Sequence, residues 1–133
     1  MQTQTTLPLT WHDIAGAPAE CLPLKPLEEI PDGGAVLLAI NNHAINEKPF
    51  GIILLRSGEQ AFAYVNRCAH FGVPLAAKVE HLSVKPHQSI SCSVHYARYR
   101  WQDGVCEFGE CLGEALIPLP ITIINGMITL QPS

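Results

Sequence analysis

Short hydrophobic runs separated by turn residues follow one another along the chain after residue 31. Runs rich in Ile, Val, Leu and aromatic residues between turn signals are typical of β-strands. The predicted strands are AVLLAI (35–40), FGIILLR (50–56), AFAYV (61–65), QSISC (88–92), ARYRW (97–101), VCEF (105–108), ITII (121–124) and MITL (127–130). In AFAYV, alternation places Phe62 and Tyr64 on one face and the intervening alanines and valine on the other.

Turn signals join these strands into hairpins. SGEQ (57–60) connects the second and third predicted strands, and Asp103-Gly104 precedes VCEF. Asn125-Gly126 separates the last two strands, and both residues tolerate the positive φ of a type I′ turn. Short strands with frequent turns predict an all-β fold, an antiparallel sandwich or barrel. Only PLAAKVEHL (74–82) has the composition of a helical turn or two.

The segment before the strands has a different composition. Residues 1–31 contain five prolines, which exclude a long helix and predict an extended arm with a short turn near residues 11–16. We expect residues 32–133 to form one domain. Within it, residues 66–91 are predicted to be a long polar connection that Pro74 and Pro86 interrupt.

Composition and charge narrow the classes of partner. The chain has 133 residues, of which 47% are hydrophobic and 15% charged, with a net charge of −4. The absence of a basic run argues against nucleic acid and anionic membranes as partners. The longest apolar run is too short to span a bilayer, and the N-terminus does not resemble a secretory signal. We therefore expect a cytoplasmic protein whose five cysteines are ligands or buried thiols rather than disulfides.

Two Cys–His pairs are the candidate chemistry. Cys68 and His70 are separated by one residue, and Cys92 and His95 by two. In an extended backbone, residues i and i+2 point the same way about 7 Å apart, at roughly 3.3 Å per residue. Side chains that far apart suit two metal centres better than a single ion. The set therefore favours a cluster with two sulfur and two nitrogen ligands.

Two alternatives use the same residues. Two cysteines and two histidines satisfy a structural zinc ion by ligand type, although zinc fingers space their ligands differently. A catalytic cysteine with a histidine base would use one pair and leave the other unexplained. No dinucleotide-binding loop, nucleophile elbow or paired carboxylate motif accompanies them, so no catalytic residue is predicted.

The pattern Cys-x-His followed by Cys-x-x-His resembles the motif of Rieske iron–sulfur proteins. HFGVPL (70–75), DGVCEFGE (103–110) and LPITIINGMITL (119–130) resemble its continuation and its later hairpins. The resemblance implies the Rieske fold, with a cluster-binding subdomain at about residues 66–112 inserted into an antiparallel base. It also implies one 2Fe–2S cluster, with two cysteines on one iron and two histidines on the other. The implied ligands are Cys68, His70, Cys92 and His95, with the imidazoles reaching solvent.

Several residues of this chain differ from those of the high-potential members of that family. These differences indicate a low to intermediate reduction potential for the implied cluster. Val73 and Val94 occupy the positions of a disulfide between the cluster loops, so the chain resembles the ferredoxin branch of the family. Ala97 stands where a serine hydroxyl would donate to a sulfur. Tyr99 matches the position of a tyrosine donor, but a core aromatic residue is an equal alternative. Gly72 follows the first histidine as the motif requires.

The loop after Asp103-Gly104 also departs from the family pattern. Glu110 occupies the place of an expected proline. Cys106 and Cys111 are interpreted as buried or half-buried thiols rather than extra ligands. Cys21 has no assigned role.

The expected function is one-electron transfer. The first hypothesis is a ferredoxin that passes electrons from a flavin reductase to a terminal oxygenase. The second is the small Rieske subunit of an assimilatory NAD(P)H nitrite reductase, which would bind the large subunit. The third is a zinc-stabilised binding module without redox function.

Overall fold

The computed structural model describes residues 11, 21–40, 50–67, 82–92, 97–109, 112 and 114–131, with Cys92 described by its backbone only. The strands in these ranges are β1 Pro23–Pro26, β2 Ala35–Ile40, β3 Phe50–Ser57, β4 Gln60–Val65, β5 Leu82–Lys85, β6 Ser89–Cys92, β7 Arg98–Arg100, β8 Cys106–Phe108, β9 Ile121–Ile124 and β10 Met127–Leu130. A single 3-10 turn at Leu27–Glu29 follows β1. Within the described ranges, no helix has the length and apolarity needed to cross a membrane.

The strands form three antiparallel sheets, with orders β1-β10-β9, β2-β3-β4 and β5-β6-β7-β8. The prediction of an all-β, antiparallel fold is therefore confirmed. Every predicted strand is present with its bounds shifted by no more than one residue at either end. Alternating hydrophobic positions and turn residues were sufficient to find these strands because neither depends on distant contacts.

The sheet β2-β3-β4 lies between two hydrophobic cores. Alternate residues of β3 point to opposite faces, so Ile53 and Leu55 enter the first core while Ile52 and Leu54 enter the second. The first core also receives residues of β5–β8, and the second receives residues of β9 and β10. The predicted alternation in β4 is confirmed, because Tyr64 belongs to the first core and its neighbours on either side to the second.

Two strands were not predicted from the sequence. β1 lies within the Pro-rich segment and pairs with β10 as an edge strand, where a proline costs no inner ladder hydrogen bond. β5 lies within the predicted connection 66–91 and pairs with β6 at the edge of its sheet. Its sequence, LSVK, has too few apolar residues to stand out. The possible helical turn at 74–82 falls outside the described residues except for Leu82, which begins β5.

Trp11 connects the N-terminal segment to the second core. Its side chain is only 3% exposed and packs with residues of that core. Burial of so large an apolar side chain favours the docked position of this part of the segment. The rest of residues 1–20 lies outside the described residues.

The predicted turn at Asn125-Gly126 has the expected backbone. Its residues have φ of 50° and 81°, which are the left-handed values that a type I′ turn requires. The turn closes β9 on β10 in register, with Met127 opposite Ile124. The β9–β10 hairpin packs in the second core, on the face of the central sheet opposite to β5–β8.

Candidate metal centre

Most of the predicted ligand set and its predicted neighbours lie outside the described residues. These are Cys68, His70, Gly72, Val73, Val94 and His95. Cys92 is described as the last residue of β6, without its side chain. The coordination of a cluster by these residues therefore stays a prediction, and the described residues define where the two segments that carry it begin and end.

The two motif-bearing segments meet at one end of the β5–β6 hairpin. Leu82, which follows the first segment, is the register partner of Cys92, which precedes the second. Partners in an antiparallel ladder have Cα atoms about 5 Å apart. The first segment therefore ends, and the second begins, at the same end of the β5–β6 hairpin.

A third segment approaches the same place. Gly109 follows β8 with a φ of 109°, a conformation that side chains rarely adopt. A Cβ atom at Gly109 would lie 3.1 Å from the Cα of Ala97, which is the first described residue after the second segment. The close approach requires glycine, and it places the β8 loop beside the segment that carries His95. Glu110, the departure from the expected proline, lies outside the described residues.

The first core packs against the β5–β8 sheet, from which these segments extend. Tyr99 and Trp101 are fully or almost fully buried there, together with Ile90. The indole Nε1–H of Trp101 donates to the Ser89 carbonyl oxygen at 3.0 Å. Burial confirms the core environment of Tyr99, while its predicted hydrogen bond to a cluster sulfur stays a prediction.

Tyr64 connects the central sheet β2-β3-β4 to the β5–β8 sheet. Its hydroxyl donates to the carbonyl oxygen of Trp101, and its ring packs against Gly104, where a Cβ would lie 2.7 Å from the ring. Burial, and to a lesser extent the charge of Asp103, raise the pKa of Tyr64. The hydroxyl therefore stays protonated and keeps its donor role throughout the neutral range.

The β7–β8 turn is held by a charged pair. The Arg100 guanidinium donates to both carboxylate oxygens of Asp103, at 3.1 and 2.6 Å. The same carboxylate accepts the Val105 N–H at 3.0 Å. These hydrogen bonds, first the one from Arg100, lower the pKa of Asp103. Gly104 completes the predicted turn with a φ of 72°.

An exposed apolar and charged surface borders the β8 loop. Phe108 and Leu112 are 55% and 67% exposed, which is unusual for large hydrophobic side chains. Arg98 lies over the Phe108 ring, 5.2 Å from its centroid, and donates to Glu107 at 2.7 Å. This surface is continuous with the loop that Gly109 places beside Ala97.

The described cysteines correct one prediction. Cys106 is buried as expected, at 2% exposure, but its sulfur is in a disulfide bond and is not a thiol. Cys21 is free and exposed. The prediction rested on the expectation of a reducing compartment, which says nothing about a particular pair that the fold brings together.

The donor set fits an iron–sulfur cluster by its chemistry. Among the described residues, no group of three or more His, Cys, Asp or Glu could hold a metal ion. The two Cys–His pairs of the sequence offer two thiolates and two imidazoles, which is the ligand set of a Rieske 2Fe–2S centre.

Comparisons with known proteins agree with this assignment. The sequence model of the Rieske [2Fe-2S] domain family matches residues 21–121. The terminal oxygenase component CarAa of carbazole 1,9a-dioxygenase from a Sphingomonas species is 37% identical over 82 residues. That alignment covers 62% of this chain and 19% of the relative, so the chain spans about a fifth of the length of the curated relative that it matches.

Solved structures share the fold. The ferredoxin of carbazole 1,9a-dioxygenase from Nocardioides aromaticivorans IC177 superposes with a TM-score of 0.62 at 16% identity, covering 86% of this chain and 100% of the ferredoxin. The terminal oxygenase of the Novosphingobium sp. KA1 enzyme superposes with a TM-score of 0.65 at 22% identity, covering 84% of this chain and 29% of the oxygenase. The family match spans most of the chain and includes both Cys–His pairs. This chain belongs to the Rieske [2Fe-2S] domain family, and membership implies a 2Fe–2S cluster.

Proposed function

We propose that the chain is a one-electron carrier that holds one Rieske 2Fe–2S cluster. Cys68 and Cys92 would bind one iron, and His70 and His95 the other. The observation that carries this proposal is the pairing of Leu82 with Cys92, which brings the ends of the two motif-bearing segments together. The match of the family model across both segments supports the same ligands.

The bound cluster supplies a site that accepts and releases a single electron. The first core contributes a buried apolar support for the β5–β8 sheet, since Tyr99, Trp101 and Ile90 are all buried there. The two imidazoles can each hold a proton on the nitrogen that does not bind iron, so electron uptake is coupled to pH. The positive φ and small size of Gly109 keep the β8 loop against Ala97.

The partner that we propose is the terminal oxygenase of a ring-hydroxylating dioxygenase, with a flavin reductase as electron donor. Similarity to a protein described as the ferredoxin of carbazole 1,9a-dioxygenase, over that protein's full length, supports a ferredoxin-like role. The exposed Phe108 and Leu112 give the cluster end of the domain an apolar surface. We expect the protein to act in the cytoplasm.

No observation specifically supports the second hypothesis, that the chain is the small subunit of a nitrite reductase. The Pro-rich segment would be the natural docking surface for a large subunit, but its described parts pack within the domain through β1 and Trp11. Co-purification with a large sirohaem subunit would revive it. A zinc-binding module predicts a colourless protein that contains zinc and no iron.

Ligand substitution tests the proposal. Anaerobically prepared protein should be red-brown, contain two irons per chain and take up one electron in a reductive titration. His70→Cys and His95→Cys should lower the potential or abolish the cluster. The matched control is His87→Ala, which removes an exposed histidine on the β5–β6 turn and should leave the spectrum unchanged. A zinc-loaded, colourless protein would contradict the proposal.

Transfer to the partner is tested separately. The reduced protein, mixed anaerobically with a terminal oxygenase of the carbazole 1,9a-dioxygenase type, should reoxidise as the oxygenase becomes reduced. Rapid-mixing absorption spectroscopy follows both. Phe108→Ser should slow the transfer without changing the potential. Failure to reduce any such oxygenase would refute the proposed partner while leaving the cluster assignment intact.

A further inference from the structure

A cleft of about 400 Å³ lies where the end of β3 meets the 3-10 turn and the β9–β10 turn. It contains none of the proposed cluster ligands and no residue of β5–β8. Clefts of this volume are typical of small-molecule sites, in which a few polar groups orient a largely apolar ligand. The lining has that composition, with three apolar residues, Pro26, Leu27 and Met127, and three polar ones, Glu28, Arg56 and Asn125.

The backbone fixes the walls of the cleft to one another. The Leu27 N–H donates to the Gly126 carbonyl oxygen at 2.8 Å, which joins the 3-10 turn to the β9–β10 turn. Pro26 and Met127 are register partners at the ends of β1 and β10, so the two strands lead directly into the cleft. The two turns therefore hold their positions without a ligand, and the cleft is preformed.

The Arg56 guanidinium is oriented before any ligand binds. Its Nε–H donates to the Gly58 carbonyl oxygen at 2.8 Å, and Nη1 donates to the carbonyl oxygens of Ile30 at 2.9 Å and Leu27 at 3.4 Å. No residue in the described ranges forms an ion pair with this guanidinium. Nη2 is the nitrogen that these contacts leave for an anionic group.

The charges of the lining select the kind of ligand. Arg56 supplies one positive charge and Glu28 one negative charge, and the two side chains do not pair with each other. A zwitterion satisfies both, because its carboxylate accepts from Arg56 while its ammonium group donates to Glu28. A simple anion would leave Glu28 without a partner, and a simple cation would leave Arg56 without one.

We propose that this cleft binds a free amino acid with a large apolar side chain. The side chain of the ligand would pack on Leu27 and Met127, where burial of apolar surface favours binding. The Asn125 amide borders the same space and can donate to the second oxygen of the ligand carboxylate. The site is independent of the proposed electron transfer, because no residue of its lining is a proposed cluster ligand.

Titration of the anaerobically purified protein with L-phenylalanine tests the site. Amide signals are followed by two-dimensional NMR, in which the Leu27 and Gly126 amides report on the cleft. We expect both signals to shift and to saturate as the amino acid is added. No saturable shift at millimolar L-phenylalanine would overturn the inference, whether or not the protein shows an iron–sulfur spectrum.

Two analogues of phenylalanine test the requirement for a zwitterion. Hydrocinnamate lacks the ammonium group, and phenethylamine lacks the carboxylate. Each should bind about tenfold more weakly than L-phenylalanine, because each leaves one charged group of the cleft unpaired. Equal affinity for either analogue would overturn the assignment of an amino acid as the ligand.

Neighbouring glutamates provide a matched pair of variants. Glu28→Gln removes the negative charge from the cleft and should weaken L-phenylalanine binding about tenfold. Glu29→Gln is the control, since Glu29 pairs with Lys25 at 3.2 Å and does not line the cleft. Equal affinities in the two variants would contradict the role of Glu28.

The carboxylate end of the ligand is tested by two further variants. Arg56→Lys keeps the charge but loses the oriented guanidinium, so L-phenylalanine binding should be lost. Because Arg56 also holds the Leu27 and Ile30 carbonyl oxygens, Asn125→Asp provides a test that spares these bonds. Asp tolerates the φ of 50° at this position and adds a negative charge that repels the carboxylate. Unchanged affinity in both variants would overturn the inference.

Discussion

At the scale of single residues, two tyrosines in the first core have separate tasks. Tyr64 donates to the Trp101 carbonyl oxygen and so joins the central sheet to the β5–β8 sheet. Tyr99 is fully buried in the same core, at the position that the family motif assigns to a donor toward a cluster sulfur. Both are tyrosines in strands of the same core, so each is the natural control for the other.

Tyr99→Phe should lower the reduction potential and preserve the fold. Loss of a hydrogen bond to sulfur removes a stabilisation of the reduced, more negative cluster. A redox titration followed by absorption measures the shift. An unchanged potential would show that Tyr99 is only a core residue.

Tyr64→Phe should lower the free energy of unfolding and leave the reduction potential unchanged. It leaves the buried Trp101 carbonyl oxygen without this donor, at a cost of about 1–3 kcal/mol in the free energy of unfolding. Denaturant unfolding measures that cost, and the potential should remain that of the wild type.

At the scale of elements, the β7–β8 hairpin shows what local sequence can and cannot predict. Asp103-Gly104 specified the turn because Gly104 adopts the positive φ that the turn needs. Nothing local indicated that Tyr64, from another sheet, would pack on that glycine. β1 and β5 were missed for the same reason, since an edge strand with prolines or polar residues is defined by its partner rather than by its own pattern.

Gly104→Ala should destabilise the protein more than Gly58→Ala. Both glycines have positive φ, of 72° and 62°, so both substitutions carry a backbone cost of about 1–2 kcal/mol. Only at Gly104 would the new Cβ meet the Tyr64 ring, whereas nothing lies within 4 Å at Gly58. Equal losses in urea unfolding would contradict the described packing of Tyr64.

Asp103→Asn should make the free energy of unfolding vary less with pH in the acid range. The folded state lowers the pKa of Asp103, so its carboxylate contributes stability that is fully present above the unfolded pKa and is lost as pH falls through the folded pKa. The wild type should exceed the variant at pH 7, and the difference should shrink in acid. The side chain is largely exposed, so the effect is modest; Glu59→Gln serves as an exposed control.

At the scale of the whole molecule, the central sheet β2-β3-β4 contributes side chains to two hydrophobic cores, one shared with β5–β8 and one with β9 and β10. The all-β architecture and the strands of the central sheet could be predicted because their hydrophobic pattern alternates regularly. The ligand set could be proposed because Cys–His spacing is a local signal. The disulfide of Cys106 could not be predicted, because no local pattern of residues indicates it.

Substitutions in β3 can separate the two cores. Leu54 and Leu55 are neighbours and both fully buried, but Leu55 enters the first core and Leu54 the second. Either change to Ala should cost about 2–5 kcal/mol in unfolding free energy. Only Leu55→Ala should also reduce the fraction of protein that retains iron, measured by iron content after gel filtration. Equal iron loss in both variants would contradict separate roles for the two cores.

The most direct test of the central claim is an EPR spectrum of the anaerobically purified protein after reduction with dithionite. Two imidazole ligands on one iron predict the signal of a reduced 2Fe–2S cluster with an average g value below that of an all-cysteine cluster. It should disappear in Cys68→Ser and persist in His87→Ala. An EPR-silent protein, or a signal with the average g value of four-cysteine ligation, would contradict the assignment of Cys68, His70, Cys92 and His95.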